Sequence, residues 1–410
     1  LKYGARVESK DRAGRTALYW AARKGRHNVV ETLLWAKADI DTADVKGKTA
    51  LMRAAAGGHA SIVQLLLARG ANSMASNYEG NTALHSAAEH GYDEVVEMLL
   101  TAGADIDDEN VFQCTPLSCA AEKGRDHTVR LLLQRGAAVD SVDSSGSRPL
   151  HQAAHMGKDG VIIALLDGGA DIDVGDGRGA TALHLAAVTG RESTVQLLLK
   201  CGASVGLPTR RGATPPHWAA QMGRSRVITA LLSAGADLEA RNEPGCTALH
   251  LAAAHGHVDT VKLLLDNLAD VHAVDNDGKT AVQVASGDDV TVLLTDWANR
   301  GTVSSALGLL SLETDHSFAL HSARSITKAR KWIHQAQVHI RSGTKTAANS
   351  RRRIKVAVID TGVDLDNQDI SQHERRIKFL WGTAEDNRDY DGHGILVVQL
   401  LLRLARNIDV

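Results

Sequence analysis

Two short runs near the C-terminus carry residue types able to do chemistry. Ile354-Lys355-Val356-Ala357-Val358-Ile359 ends at Asp360-Thr361-Gly362, and Asp391-Gly392-His393-Gly394 opens an apolar stretch from Ile395 to Arg406. So short and β-branched a run predicts a buried strand of the parallel kind. A residue at the carboxyl end of such a strand, like Asp360, lies where α/β sheets place reactive groups. A carboxylate and an imidazole are the materials of proton transfer. Asp364, Asp366 and Asp369 stand nearby, but calcium needs six or more oxygens, and a solvated loop is the reading taken.

The other groups with reactive potential recur with a period. His85, His151, His184, His217 and His250 occupy one position of a 33-residue repeat. Zinc requires four ligands closing on one point, and copies of one position in successive repeats do not converge that way. The expected role is structural, an imidazole bridging backbone groups of neighbouring loops. His255-Gly256-His257 sits at a helix–helix turn and is read likewise. Cys114, Cys119, Cys201 and Cys246 show neither metal spacing nor a disulfide framework. They fit a reducing compartment and place the chain inside a cell, in cytoplasm or nucleus. No metal and no cofactor is expected.

The elements that must position these residues follow from the period. Glycine opens a unit at 14, 47, 80, 146, 179, 212, 245 and 278, with Gln113 where one is due. Asp or Asn stands three residues earlier at 11, 44, 77, 110, 143, 176, 242 and 275, with Thr209 the exception. Asx first and glycine fourth is the signature of a type I turn. Threonine at 16, 49, 82, 115, 181, 214, 247 and 280 supplies a helix N-cap, and Pro116 and Pro215 follow at the first helical position. Arg148 replaces the threonine once. Within 77–110 a short helix with Ala87 and Ala88 ends at Gly91, and a second carries Val95, Val96, Leu99 and Leu100. Such a unit cannot bury its own apolar face and needs copies on both sides.

Turn, cap, helix breaker and period together resemble the ankyrin repeat family over residues 1–300. Residues 1–10 read as the end of an earlier unit, eight units follow from 11 to 274, and a ninth from Asp275 loses the pattern at Asp288-Asp289. The resemblance implies an all-helical solenoid that binds proteins on its hairpin tips and concave face. By position the tip pairs include Val45-Lys46, Tyr78-Glu79, Val111-Phe112, Gly177-Arg178 and Arg210-Arg211. Tyr78, Val111 and Phe112 are apolar where water is expected, and Arg178, Arg210 and Arg211 follow. These six are the candidate partner-binding residues. The alternative for Phe112 is that it folds over the turn defect at Gln113.

Composition limits the other possibilities. Lys and Arg number 46 against 48 Asp and Glu, a net of −2, which argues against a general nucleic-acid binder. Residues 301–410 hold 16 basic and 12 acidic groups, leaving 30 and 36 in residues 1–300. Aromatics are 3%, so a core must come from Leu, Ala and Val in closely stacked short helices. No apolar run reaches membrane-spanning length. Residues 301–353 form a basic linker, read as helical over 302–313 and 317–340, with Arg351-Arg352-Arg353 its sharpest point.

The strand, Asp-Thr-Gly, Asp-Gly-His-Gly and helix of residues 354–410 resemble the opening of a subtilisin-like serine peptidase, or subtilase. The resemblance implies Asp360 as the triad carboxylate that orients the imidazole and His393 as the general base. Ile395-Leu396-Val397-Val398 stands where the family carries Thr-His-Val-Ala. No serine in this chain has the setting of the family's nucleophile, so no cleavage by the triad mechanism is expected of it. The fold class read from the sequence is mainly α: an ankyrin helix–turn–helix solenoid with a small incomplete α/β fragment. Two functions remain, an ankyrin module tethering or selecting substrates for a serine endopeptidase, and a non-enzymatic interaction scaffold.

Overall fold

The computed structural model describes residues 6–309 and the strands 355–359 and 377–381. Residues 6–309 form a row of helix pairs. The first helices are Ala17–Arg23, Ala50–Ala56, Ala83–His90, Pro116–Lys123, Pro149–Met156, Ala182–Thr189, Pro215–Gln221, Ala248–Ala254 and Ala281–Val284. The second helices are His27–Trp35, Ala60–Ala68, Asp93–Thr101, Asp126–Gln134, Asp159–Asp167, Glu192–Lys200, Ser225–Ser233, Val258–Asp266 and Asp288–Leu309.

Each first helix begins where the sequence places its cap. Thr16, Thr49 and Thr115 accept the amides of Tyr19, Met52 and Ser118 through their hydroxyls at 3.3 Å. Pro116, Pro149 and Pro215 occupy first-turn positions that need no N–H. Left-handed glycines at 91, 124, 157 and 190 end the first helix, because a side chain there would strain the turn.

Packing explains the composition. The pairs Ala87/Ala88, Ala120/Ala121, Ala153/Ala154, Ala186/Ala187, Ala219/Ala220 and Ala252/Ala253 are fully buried where neighbouring helices approach. Each second helix adds a β-branched residue and a leucine to the same continuous core, as Val96 with Leu99 and Val195 with Leu198. Burying each such side chain contributes about 1.5–3 kcal/mol. One repeat has too few of them to stand alone, which makes the array stable only as a stack.

The ninth unit departs from the sequence reading. Its second helix forms despite the broken pattern and runs Asp288–Leu309 without stopping at residue 300. Asp288 and Asp289 sit in its first turn, where carboxylates favour the N-terminal end of the helix dipole. Val290 and Leu294 are buried against the preceding unit, so the packing face survives although the motif does not. The strand expected before Asp360 is present as Lys355–Ile359. Its described neighbour, Ile377–Trp381, runs antiparallel, with Lys355 opposite Trp381 and Ile359 opposite Ile377.

The fourth and fifth repeats concentrate the irregularities. Gln113 keeps the turn that glycine makes elsewhere, at φ 58°, with its amide on the Asn110 carbonyl at 2.8 Å. A side chain in that region is strained by about 1–2 kcal/mol. Arg148 gives its helix no oxygen cap; its guanidinium instead donates to the Gly175 carbonyl at 3.1 Å. Asp140 Oδ1 and Gln152 Oε1 are buried there without a hydrogen-bond donor among the described residues. Residues 110–175 are therefore expected to open first. Gln113→Gly should stabilise the array by about 1 kcal/mol, and Arg148→Thr by up to about 2 kcal/mol. Hydrogen exchange followed by mass spectrometry checks this, and even protection across 77–241 would contradict it.

Candidate interaction surface

Each hairpin tip is built by its Asx residue. Asp44 Oδ1 accepts the amides of Lys46 and Lys48 at 2.9 Å, and Asn77 Oδ1 those of Glu79 and Asn81 at 2.9 Å. Asn110 holds Phe112 at 2.9 Å and Cys114 at 3.0 Å in the same way. Thr209, the exception in the sequence, supplies one such bond, from Ala213 N–H to its hydroxyl at 3.2 Å. With both ends of the turn tied down, the two tip side chains have no route into the core.

Successive tips are also stitched to one another. Tyr78 N–H donates to the Lys46 carbonyl at 3.1 Å, Val111 N–H to Glu79 at 3.0 Å, and Ser144 N–H to Phe112 at 2.9 Å. Arg210 N–H donates to the Arg178 carbonyl at 2.9 Å, and Glu243 N–H to Arg211 at 2.8 Å. The tips thus form a fixed edge, whose side chains are displayed without further ordering. At Gly177 no such bond forms, and a Cβ would lie 2.4 Å from the Ser145 carbonyl oxygen. Only glycine fits where those two tips crowd together.

The apolar tip residues point into water. Tyr78 is 76% exposed, Val111 61% and Phe112 58%. Val45, on the preceding tip, is 58% exposed and extends the stripe. The sequence reading passed over it, although the alignment that placed Tyr78 also placed Val45. Arg178, Arg210 and Arg211 are exposed on two later tips. Arg178 pairs with Asp176 at 3.1 Å, whereas Arg210 and Arg211 have no side-chain partner among the described residues. Burial pushes the Asp176 carboxyl up, but the amides of Ala180 and Arg178 and the Arg178 guanidinium outweigh it and hold the group below its ordinary value.

The recurrent histidines lie beneath this edge and are fully enclosed. In His184 the Thr181 amide donates to Nδ1 at 3.2 Å, and Nε2 faces the Ala213 carbonyl of the next repeat at 3.0 Å. Since an amide can only donate, Nδ1 is unprotonated and the proton sits on Nε2. His85, His217 and His250 make the same bridge to Cys114, Cys246 and Lys279, and His151 makes it to Val174. Burial lowers all five pKa values, that of His184 to about 4. These are structural neutral imidazoles, holding one repeat's loop to the next.

Three thiols of the described array are held protonated. Burial pushes the Cys119 thiol up to about 12 and raises Cys114 and Cys246 as well, the opposite of an activated thiolate. No group of three or more His, Cys, Asp or Glu among the described residues is arranged to hold a metal. No helix among them is long and apolar enough to cross a membrane. Asp360 and His393 lie outside the described residues, as does the basic linker beyond Leu309.

Comparison with known proteins agrees with the repeat architecture. A family model described as ankyrin repeats in three copies matches residues 33–110, 102–176 and 159–242. A second, ankyrin repeats in many copies, matches 231–285, and a single ankyrin repeat matches 13–45. Among solved structures, the human ASB11 ankyrin repeat domain is similar, at 28% identity and a TM-score of 0.47, over 61% of this chain and 97% of that one. No curated protein matched the chain.

Proposed function

This chain belongs to the ankyrin repeat family, and from that premise we propose that it is a protein-interaction scaffold which engages its partner through the hairpin tips. The observation that carries this is the stripe Val45, Tyr78, Val111 and Phe112, large apolar side chains held in water on a rigid edge. Nothing in the turn requires them, since Ser144 and Arg210 occupy the equivalent tip positions. Exposed aromatic and aliphatic groups that contribute nothing to the core are the composition of a binding hot spot. A pre-ordered edge also loses little conformational entropy on binding.

Beyond its two motifs, the peptidase reading has one structural support, the strand Lys355–Ile359 immediately before Asp360. Its antiparallel neighbour is not the parallel sheet which that reading needs, so the scaffold is preferred. The proposal is tested by replacing Tyr78, Val111 and Phe112 together with Ser. Helical circular dichroism should be unchanged, and recovery of partner proteins from cell extract should drop by about thirtyfold or more, as for loss of hot-spot residues. Undiminished recovery, or unfolding of the variant, would refute the assignment of these side chains.

A further inference from the structure

The floor of the first-helix face changes character along the array. The position four residues after each helix N-cap is Trp20 in the first repeat and Arg53, Ser86, Cys119 and Gln152 in the second to fifth. In the sixth to eighth it is Leu185, Trp218 and Leu251. Because Arg53, Ser86 and Gln152 serve at this position in three repeats of the same fold, packing does not demand apolar ones. Trp218 and Leu251 remain partly exposed, and Leu185 is buried beside them. First helices of neighbouring repeats pack side by side, so the three form one apolar strip.

The strip is rimmed by cations. Arg178 Cζ lies 5.6 Å from the centroid of the Trp218 ring, and His184 meets the same ring edge-on at 5.3 Å. Arg210 is tied by its amide to the Arg178 carbonyl, and Arg211 is its partner on that tip. Arg178 is already neutralised by Asp176, but Arg210 and Arg211 are not paired with any acid among the described residues. Glu243, exposed on the following tip, closes the cationic rim on one side. An apolar floor beside two uncompensated guanidinium groups is complementary to a chain with both apolar and anionic groups.

We propose that the sixth to eighth repeats form a docking groove for an extended acidic polypeptide segment with apolar side chains. Its carboxylates pair with Arg210 and Arg211, and an apolar side chain lies on the partly exposed Trp218 and Leu251. Guanidinium forks suit carboxylates in two-bond geometry. Three repeats packed about 10 Å apart are crossed by about nine extended residues. This rests on the reading of the array as a protein-binding scaffold and gives that reading a partner chemistry.

The test uses the full chain and fluorescein-labelled peptides of about a dozen residues, enough to cover the span argued above. One alternates Glu and Leu, one Lys and Leu, and one Glu and Ser. Fluorescence anisotropy should show binding of the Glu–Leu peptide, with the other two at least about tenfold weaker. Arg210→Glu with Arg211→Glu should weaken it about tenfold or more, whereas Arg226→Glu with Lys262→Glu on the second helices should not. Trp218→Phe should abolish the fluorescence change that peptide causes in the unlabelled wild type. No binding of the Glu–Leu peptide, equal binding by the Arg210/Arg211 variant, or equal displacement by an oligonucleotide or anionic vesicles would overturn the proposal. The effect of the Tyr78, Val111 and Phe112 substitutions is read separately, so the scaffold reading can stand or fall on its own.

Discussion

Lowering the pH from 7 to 4 will strip several kcal/mol from the stability of the ankyrin array. A histidine whose pKa is depressed on folding binds fewer protons folded than unfolded. Its neutral form therefore supports the fold fully above the unfolded value near 6.5, and that support is lost as pH falls toward the folded value. For His184 that interval runs from 6.5 to about 4, and at about 1.4 kcal/mol per pH unit this one residue removes about 3 kcal/mol. His85, His151, His217 and His250 shift in the same direction for the same cause, burial.

The carboxylates act in a different window. Asp44, Asp143 and Asp176 have lowered pKa values, so their contribution is intact above 3.8 and is lost only at lower pH. Urea denaturation at steps between pH 7 and 4.5 thus isolates the histidines. The ninth repeat supplies the control, because Gln283 accepts the Thr280 amide at 2.8 Å in the imidazole's place. His184→Gln should keep that acceptor and reduce the pH dependence by about 3 kcal/mol at most. A wild-type stability that is level from pH 7 to 4.5 would contradict the bridging role.

The second large effect concerns cooperativity. Leu165 in the fifth repeat and Leu231 in the seventh occupy equivalent positions, and both are fully buried. Either Leu→Ala change is expected to remove about 2–5 kcal/mol. In a nearest-neighbour stack the consequence depends on the surrounding unit. The fifth repeat already lacks an oxygen cap at Arg148 and lies next to the strained turn at Gln113. Leu165→Ala should therefore break denaturation into two transitions, one for each side of the gap. Leu231→Ala should lower the midpoint and keep one transition. A single transition in both variants would show that the junction is no weaker than the rest.

Much of this molecule was legible because its rules are local and repeated. Asx and glycine at three-residue spacing gave the tips, threonine gave the helix starts, and the period alone predicted that the buried histidines bridge loops. Other features depend on neighbours in space. Gln113 holds a left-handed turn because the surrounding hydrogen bonds impose it, which its own preference would not indicate. The helix Asp288–Leu309 forms after the motif has failed, since Val290 and Leu294 still find the core. The Arg178–Trp218 contact joins residues 40 positions apart, and only the placement of adjacent repeats reveals it. At the C-terminal fragment a strand was legible from β-branched residues, but its pairing direction is a property of two segments and not of one. The Asp360 and His393 assignments rest on motif resemblance alone.

The central claim is that the hairpin tips are where a partner protein sits. Photo-crosslinking tests it most directly, with benzoylphenylalanine placed in turn at Tyr78, at Phe112 and at Glu97 on a second helix, and the chain exposed to cell extract. Discrete protein adducts at Tyr78 and Phe112, absent at Glu97 and lost when unlabelled array is added in excess, are the expected result. The same adducts at all three positions, or none at the tips, would contradict it.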